Sequence, residues 1–498
     1  MTKRVVLGAL MGALMMVATG CTEECVDQID CLNEKGEPGE GKRWACVDNK
    51  CRAQDDTPTP IPDAGTQTDA GTDAGTGTDA GTDAGTGTDA GTDAGTDAGT
   101  MTVGKDGPCT DSTVCMGGLR CEGATGSKTC QPLHIAVTAS VNSGAGPIEA
   151  VAVRAEAGAT PFELSEAAGA SRFPRWNKDG TAVAFVQEET AGSPALVSRT
   201  IPLATGQKTE LTTGAAASTE DFRHMEWGPS SRVAWTKKAG TSITGISVLA
   251  PPSTTVETAT ANGGFPSWKD DQSFFYSAAG SGVLAVTLGG TPADVGGSSG
   301  GEQPRYNRVT DFLLYLASTG TTNFTEGSQS LYRLLTLPAA GAASSNEIAT
   351  VGAPTTVTGG EVKSFITAHD WAPDGTYVTY VRAYYFDPEG EVAPSIICGN
   401  VGAEACGAQA GPNVYLQRIN TATGQASGAA VLVAENATLP SVSPDGRYVA
   451  YIQGQRLYVR GINADGTLSS AAPTVLTPTT LRVQTGLGND HRPRWQPR

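Results

Sequence analysis

Phe173-Pro174-Arg175-Trp176-Asn177-Lys178-Asp179-Gly180 is the stretch that decides the fold. It places an aromatic residue directly before an Asp-Gly turn, and the apolar segment 182–185 follows the turn. An aspartate side chain caps the backbone of such a turn, and glycine adopts the positive φ that the turn requires. The pattern therefore predicts a β-hairpin that is anchored by one aromatic side chain.

This pattern recurs along the rest of the chain. Six further copies lie at 224–235, 265–276, 303–315, 370–380, 439–451 and 492–497. Five of the seven tryptophans occupy the anchor position, namely Trp176, Trp227, Trp268, Trp371 and Trp495. A spacing of about 40–70 residues is typical of four-stranded propeller blades. The repeat thus predicts an all-β chain from residue 132 onward.

The copies resemble the TolB-type propeller repeat, which reads roughly Pro-x-Trp-Ser-Pro-Asp-Gly followed by a strand similar to Ile-Ala-Phe. The resemblance covers about residues 134–498, although the copies at 224–236 and 303–316 lack the Asp-Gly turn. It implies a β-propeller and protein partners in the cell envelope. The α/β domain that precedes the propeller in TolB has no counterpart here, so TolB's own role and partner are not transferred.

The two ends of the repeat region complement each other. Residues 491–498 supply an opening strand, and residues 134–165 supply three later strands without an opening strand of their own. Pairing these segments closes the ring and removes exposed strand edges. Seven blades are therefore predicted, and a ring of six blades remains the alternative if one weak copy is not a blade.

The N-terminus is typical of an exported protein. Lys3 and Arg4 precede an apolar run at 5–17, and small residues lead into Cys21, so residues 1–20 are predicted to be a signal peptide. Residues 17–21 resemble a bacterial lipobox, which implies a lipid anchor on Cys21 and, because Thr22 follows, outer-membrane sorting. The membrane face stays open, and the alternative is an ordinary signal peptide with a chance cysteine.

Composition divides the remaining chain into modules. We predict a lipid-anchored Cys-rich module at 21–56, a disordered Thr-Asp-Ala-Gly linker at 57–101, a second Cys-rich module at 102–131 and a propeller at 132–498. The linker carries eight aspartates and neither Lys nor Arg. A net charge of −17 without a basic region argues against nucleic acid as a partner.

Ten cysteines follow Cys21, and disulfides are expected in an oxidising compartment. The candidates are Cys25, Cys31, Cys46, Cys51, Cys109, Cys115, Cys121, Cys130, Cys398 and Cys406. Each group of four allows three connectivities, which the sequence leaves open. The Cys398–Cys406 pair is expected to clip the long segment 384–412, either a binding loop or a stabilised insertion. The spacing and the lack of histidines in these groups argue against zinc, and no cofactor is predicted.

No motif of a hydrolase, phosphate-binding or zinc-protease site occurs in the sequence. We therefore predict a non-catalytic binding or scaffold lipoprotein, monomeric, with envelope or extracellular proteins as partners. The alternatives are a surface sensor or adhesin, and a propeller-based hydrolase. Polar residues near the start of the opening strands are either paired rim residues or a binding surface at the channel mouth; they are Arg175, His224, Glu226, Arg305, His369, Asp370, His491 and Arg494.

Overall fold

The computed structural model describes residues 42–47, 50–55, 102–110, 114–123, 126–141, 148–165, 169–188, 194–212, 222–239, 242–324, 327–388, 396–398, 406, 411–485 and 491–498. The signal peptide, Cys21, Cys25, Cys31 and the whole predicted linker lie outside these residues. Among the described residues, no helix has the length and apolar character needed to cross a membrane.

Three two-stranded sheets precede the propeller within the described residues. Strands β1 (Lys42–Val47) and β2 (Lys50–Asp55) form an antiparallel hairpin in which the backbone of Cys46 lies opposite that of Cys51. The second Cys-rich module contains β3 (Thr102–Val103), β4 (Val114–Cys115), β5 (Leu119–Glu122) and β6 (Thr129–Pro132). Its disulfides join Cys109 to Cys121 and Cys115 to Cys130, so one of the three connectivities is selected.

This second module packs directly against the propeller. Glu122 accepts hydrogen bonds from Arg154 (3.0 Å) and from the amide of Gln496 (2.8 Å). The Arg498 guanidinium donates to the carbonyl of Cys115 at 2.7 Å. The module therefore lies on the same face as the C-terminal residues of the chain.

The propeller begins with β7 (His134–Ser140), β8 (Ile148–Arg154) and β9 (Phe162–Glu163), which belong to blade 1. Blade 2 consists of β10 (Ala170–Trp176), β11 (Ala182–Glu188), β12 (Ala195–Thr200) and β13 (Lys208–Glu210). Blade 3 consists of β14 (Arg223–Trp227), β15 (Val233–Ala239), β16 (Ser242–Leu249) and β17 (Val256–Thr260). Blade 4 consists of β18 (Gly264–Trp268), β19 (Ser273–Ala278), β20 (Gly282–Thr287) and β21 (Ala293–Asp294).

The next two blades carry longer strands. Blade 5 consists of β22 (Gly301–Asn307), β23 (Phe312–Phe324), β24 (Gly327–Pro338) and β25 (Asn346–Ala349). Blade 6 consists of β26 (Thr355–Val357), β27 (Gly360–Trp371), β28 (Tyr377–Pro388), β29 (Ile396–Ile397), β30 (Asn413–Arg418) and β31 (Val431–Ala434). The predicted Cys398–Cys406 disulfide is present, and its cysteines pack against Tyr384 and Phe386.

Blade 7 consists of β32 (Ala437–Val442), β33 (Tyr448–Gln453), β34 (Arg456–Gly461) and β35 (Thr474–Val475). The ring then closes through β36 (Arg482–Val483) and β37 (Arg494–Trp495), which both pair with β7. The opening strands contact one another in a complete cycle from β37 through β10, β14, β18, β22, β27 and β32 back to β37. The prediction of seven blades closed by the two ends is confirmed.

The end of the chain is held from three sides. Gln496 is fully buried, and its amide nitrogen donates to the carbonyl of Gly180 at 2.8 Å as well as to Glu122. Its amide oxygen accepts from the backbone nitrogen of His134 at 3.1 Å. Blade 1, blade 2 and the second Cys-rich module therefore all contact the residue that follows the closing strand.

The anchor tryptophans join neighbouring blades. The indole nitrogen of Trp268 donates to the carbonyl of Glu226 at 3.1 Å, and that of Trp371 donates to the carbonyl of Arg305 at 3.0 Å. In both pairs the acceptor belongs to the preceding blade, and its residue lies directly before that blade's own anchor position. Trp176 and Trp495 make the equivalent contact.

A β-bulge interrupts the opening strands just before the anchor position. Residues other than glycine adopt positive φ there in six blades, namely Phe173, His224, Phe265, Gln303, Ala368 and Leu439. This conformation costs roughly 1–2 kcal/mol per residue. A hydroxyl group of the preceding blade compensates in part, because Thr138 accepts from the Phe173 nitrogen (3.0 Å) and Thr236 from the Phe265 nitrogen (2.9 Å).

We expect Thr236→Val to lower the free energy of unfolding by about 1–3 kcal/mol, because it leaves the Phe265 N–H without its acceptor while keeping the side-chain shape. Thr236 is fully buried and also lies 3.1 Å from Nδ1 of His224. Urea unfolding measures the change. Thr258→Val, at an exposed position of the same blade, is the matched control. Equal stability of the two variants would contradict this role of the hydroxyl.

Candidate binding site at the channel mouth

One residue of each blade occupies the position directly before the anchor. These seven residues are Arg175, Glu226, Ser267, Arg305, Asp370, Ser441 and Arg494. Each of these residues pairs with the neighbouring antiparallel strand. Arg175 lies opposite Ala184, and Glu226 lies opposite Ala234, directly after the bulge in each opening strand. Because successive side chains of a strand point to opposite sides, these seven share the side opposite the anchors. They form a ring around the channel.

The charged members of this ring meet across the channel. Oε1 of Glu226 in blade 3 lies 3.0 Å from Nη1 of Arg305 in blade 5 and 3.4 Å from Nη2 of Arg494 in blade 1. Oδ2 of Asp370 in blade 6 lies 2.5 Å from Nη1 of Arg492 in blade 1. None of these pairs joins adjacent blades. The side chains therefore converge on the axis rather than pairing along the wall.

We call Arg175, Arg305, Arg492, Arg494, Glu226 and Asp370 the channel cluster. Arg492 lies two residues before the closing strand β37, which begins at Arg494, and its side chain is completely buried. Arg175 is also buried, and its Nε donates to the carbonyl of Met225 at 2.7 Å. Four guanidinium groups thus face two carboxylates, which leaves an excess of two positive charges in a protein whose net charge is −17.

The arginines keep both carboxylates ionised. Burial by itself raises the pKa of Glu226, but the charges of Arg494, Arg305 and Arg175 outweigh it and hold that pKa below its ordinary value. Burial likewise raises the pKa of Asp370, and Arg492, Arg494 and Arg305 more than reverse this effect. Burial lowers the pKa of Arg492 to about 10, so this guanidinium still carries its charge at neutral pH.

A cavity of about 390 Å³ opens above the cluster, at the end of the opening strands where their turns begin. We call it the mouth cavity. Arg175, Glu226, Asp370, Ser441 and Arg494 lie in its wall, and Lys178 and Arg308 add positive charge from the turns of blades 2 and 5. Four anchor tryptophans complete the wall, namely Trp176, Trp227, Trp371 and Trp495. The volume falls in the range of small-molecule sites.

The three histidines that the sequence grouped with the rim do not line this cavity. His224 stacks on Phe265 with a ring separation of 3.8 Å, and His491 packs against Phe173 at 5.1 Å. His369 is fully buried, and its Nε2 donates to the carbonyl of Gln303 at 2.9 Å. Burial, together with the charges of Arg305 and Arg492, lowers the pKa of His369 to about 3, so its imidazole is neutral.

The structure brings five of the residues singled out in the sequence close together: Arg175, Glu226, Arg305, Asp370 and Arg494. Sequence reasoning missed Arg492, Lys178 and Arg308. The proximity of Arg492 to Arg494 in the sequence offered a signal, because Arg492 lies two residues before the closing strand β37. The turn positions of Lys178 and Arg308 offered a second signal, because the turns after the anchors all lie at the same end of the channel.

No protein-family model matches the chain, and no curated protein is significantly similar to it. The chain is a seven-bladed β-propeller. Solved structures with a similar fold include TolB from Acinetobacter baumannii, at 15% identity over 74% of this chain and 68% of that chain, with a TM-score of 0.37. The seven sheets of the ring themselves confirm the expected β-propeller fold.

Enzymes also occur among the similar structures. A putative 6-phosphogluconolactonase from Bacteroides uniformis matches at 14% identity over 70% of this chain and 98% of that chain, with a TM-score of 0.41. The periplasmic gluconolactonase PpgL of Pseudomonas aeruginosa matches at 11% identity over 73% and 99%, with a TM-score of 0.44. These similarities concern the fold alone.

Proposed function

We propose that this chain is a cell-envelope lipoprotein that binds a partner protein non-catalytically at the mouth cavity of its propeller. The observation that carries the proposal is the cationic, tryptophan-walled cavity at the centre of a rigid ring. Interfaces favour such a combination, because tryptophan and arginine contribute most to binding where they are shielded from solvent. Val309, on the turn beside Arg308, is 71% exposed and extends the apolar part of the rim.

A non-catalytic role agrees with the chemistry of the cavity. A carboxyl group acts efficiently as a general acid when its pKa is raised toward neutrality. The pKa values of Glu226 and Asp370 are instead lowered, and both side chains are engaged by arginines. His369 is neutral, buried and bonded to a backbone carbonyl, so it is not placed to exchange protons with a ligand.

A photo-crosslinking side chain at position 309 tests the binding proposal in living cells. We expect a crosslinked product of higher mass from this position, and we expect Arg308→Glu to abolish it because the rim charge is reversed. The matched control places the same side chain at Leu432, which is 40% exposed on blade 6 away from the cavity. Equal crosslinking from both positions, or none from position 309, would refute a partner at the mouth.

We also propose a lipid anchor on Cys21 and an outer-membrane location, and we leave undecided which face of the membrane the propeller occupies. Membrane fractionation tests the anchor. Protease treatment of intact cells, followed by detection with an antibody against the propeller, tests which face the propeller occupies. We expect Cys21→Ala to release the protein from the membrane fraction, since two or more acyl chains make attachment stable. Loss of the propeller from intact cells would place the partner outside the cell, as for an adhesin or sensor. Unchanged attachment of Cys21→Ala would rule out the lipid anchor.

A further inference from the structure

Beneath the mouth cavity, the described side chains of the channel cluster carry more positive than negative charge, with four guanidinium groups and two carboxylates. The arginine side chains are largely removed from solvent. The side chain of Arg305 is 6% exposed and that of Arg492 is not exposed at all. Removing a charged group from water is unfavourable unless a partner charge compensates for it. An additional negative group beside these arginines would therefore stabilise the cluster.

The hydrogen-bonding groups of the cluster are incomplete as well. Nε and Nη2 of Arg305, Nε and Nη2 of Arg492, and Nε of Arg494 are buried and form no hydrogen bond within the described part of the protein. A buried donor without an acceptor is destabilising, and more so when it is charged. Five such donors on three neighbouring side chains define a site that lacks its acceptors.

The geometry brings these donors to one place. Arg305 and Arg494 both reach Oε1 of Glu226, although they belong to blades 5 and 1. Arg492 reaches Asp370 of blade 6, and both Glu226 and Asp370 lie in the wall of the mouth cavity. The three guanidinium groups, one from blade 5 and two from blade 1, thus lie around the two carboxylates that line the cavity. Planar guanidinium groups in this arrangement bind oxyanions through two parallel hydrogen bonds.

From this charge excess and these unpaired donors we infer that the channel cluster is a binding site for a small dianion, a phosphate-like oxyanion or a dicarboxylate, held by Arg305, Arg492 and Arg494. Such a dianion adds negative charge beside the three guanidinium groups and supplies the acceptors that their donors lack. Chloride carries a single negative charge and has no pair of oxygen atoms that could accept two parallel hydrogen bonds from a guanidinium group. The site lies beneath the rim, so the inference holds whether or not a partner protein covers the mouth.

Isothermal titration calorimetry of the full chain with inorganic phosphate, sulfate, succinate and chloride tests the inference. We expect saturable one-to-one binding of at least one dianion and none of chloride. Preference for phosphate and sulfate identifies an oxyanion site, and preference for succinate identifies a dicarboxylate site. The absence of saturable binding of all three dianions at up to roughly 10 mM overturns the inference.

Variants that change affinity in opposite directions separate binding from damage to the fold. Arg305→Met and Arg492→Met remove donors and charge, so we expect each to lower the affinity for the preferred dianion by about tenfold or more. Glu226→Gln and Asp370→Asn remove carboxylates that compete for the arginines, so we expect each to raise the affinity for that dianion several-fold. Arg333→Met removes an exposed cation of blade 5 outside the mouth cavity and should change affinity by less than about twofold. Weakening by Glu226→Gln, or an equal loss in Arg333→Met, overturns the inference.

Discussion

Trp495→Ala is expected to lower the free energy of unfolding by about 3–5 kcal/mol and to open the ring at blade 1. Truncation of a buried tryptophan leaves a large cavity and removes its packing. Trp495 is 8% exposed, packs in the core that joins blades 6, 7 and 1, and donates from its indole nitrogen to the carbonyl of Ser441 at 3.3 Å. It also forms half of β37, the two-residue strand that closes the ring.

Trp268→Ala is the matched control, because Trp268 occupies the same anchor position and is 6% exposed, but lies in blade 4. We expect both variants to lose comparable stability in urea unfolding. Only Trp495→Ala should accelerate hydrogen exchange in 134–140 and 491–498 under native conditions, because the closing strand has few hydrogen bonds of its own. Unchanged exchange in these two segments would show that closure does not depend on Trp495.

Ring closure is the part of the fold that the sequence predicted best. The segment 492–497 contains an opening motif, and the segment 134–165 contains three strands without an opening motif. Pairing these two segments completes one four-stranded blade. The structure adds what the repeat pattern does not encode. Gln496, directly after the closing strand, ties the chain end to blade 2 and to the second Cys-rich module. Such contacts depend on tertiary placement rather than on periodicity.

The β-bulges explain why the sequence did not predict the positions of the three histidines. Phe173 and Leu439 have no local preference for positive φ, and the conformation persists because the neighbouring strands fix it. The three histidines illustrate the consequence. His224 lies three residues before its anchor, His369 two residues before and His491 four residues before. Around a bulge, positions that differ by one residue point to different surroundings, so the three histidines do not share a surface.

The charge pairing across the axis could not be predicted from one repeat at a time. The ring position reads Arg, Glu, Ser, Arg, Asp, Ser and Arg in blades 2 to 7 and 1. Considered singly, each polar residue fits a solvated rim. Only the closed ring brings Glu226 within reach of Arg305 and Arg494, which lie about 80 and about 270 residues further along the chain. The charge pairing of the cluster is therefore a property of the assembled ring.

Glu226→Gln is expected to lower the free energy of unfolding by about 2–4 kcal/mol at pH 7. Removing one partner of a largely buried ion pair leaves the other charge without compensation. The Glu226 side chain is 23% exposed and contacts Arg305 and Arg494, so two guanidinium groups lose their carboxylate at once. Partial solvent access reduces the expected loss below that of a fully buried pair. Urea unfolding in buffers free of multivalent anions gives the measurement.

The pH dependence distinguishes loss of charge from loss of shape. Because the pKa of Glu226 is lower in the folded protein than the ordinary value of 4.5, its ionised form stabilises the fold above about pH 4.5. This contribution disappears as the pH falls through the folded pKa, since the wild-type carboxyl group then becomes neutral like the glutamine. The stabilities of wild type and Glu226→Gln should therefore converge at low pH. Glu302→Gln, at an exposed carboxylate of blade 5, should follow the wild type at every pH. A constant difference for Glu226→Gln from pH 7 to pH 3 would mean that side-chain shape, rather than the ion pairs, holds the channel cluster together.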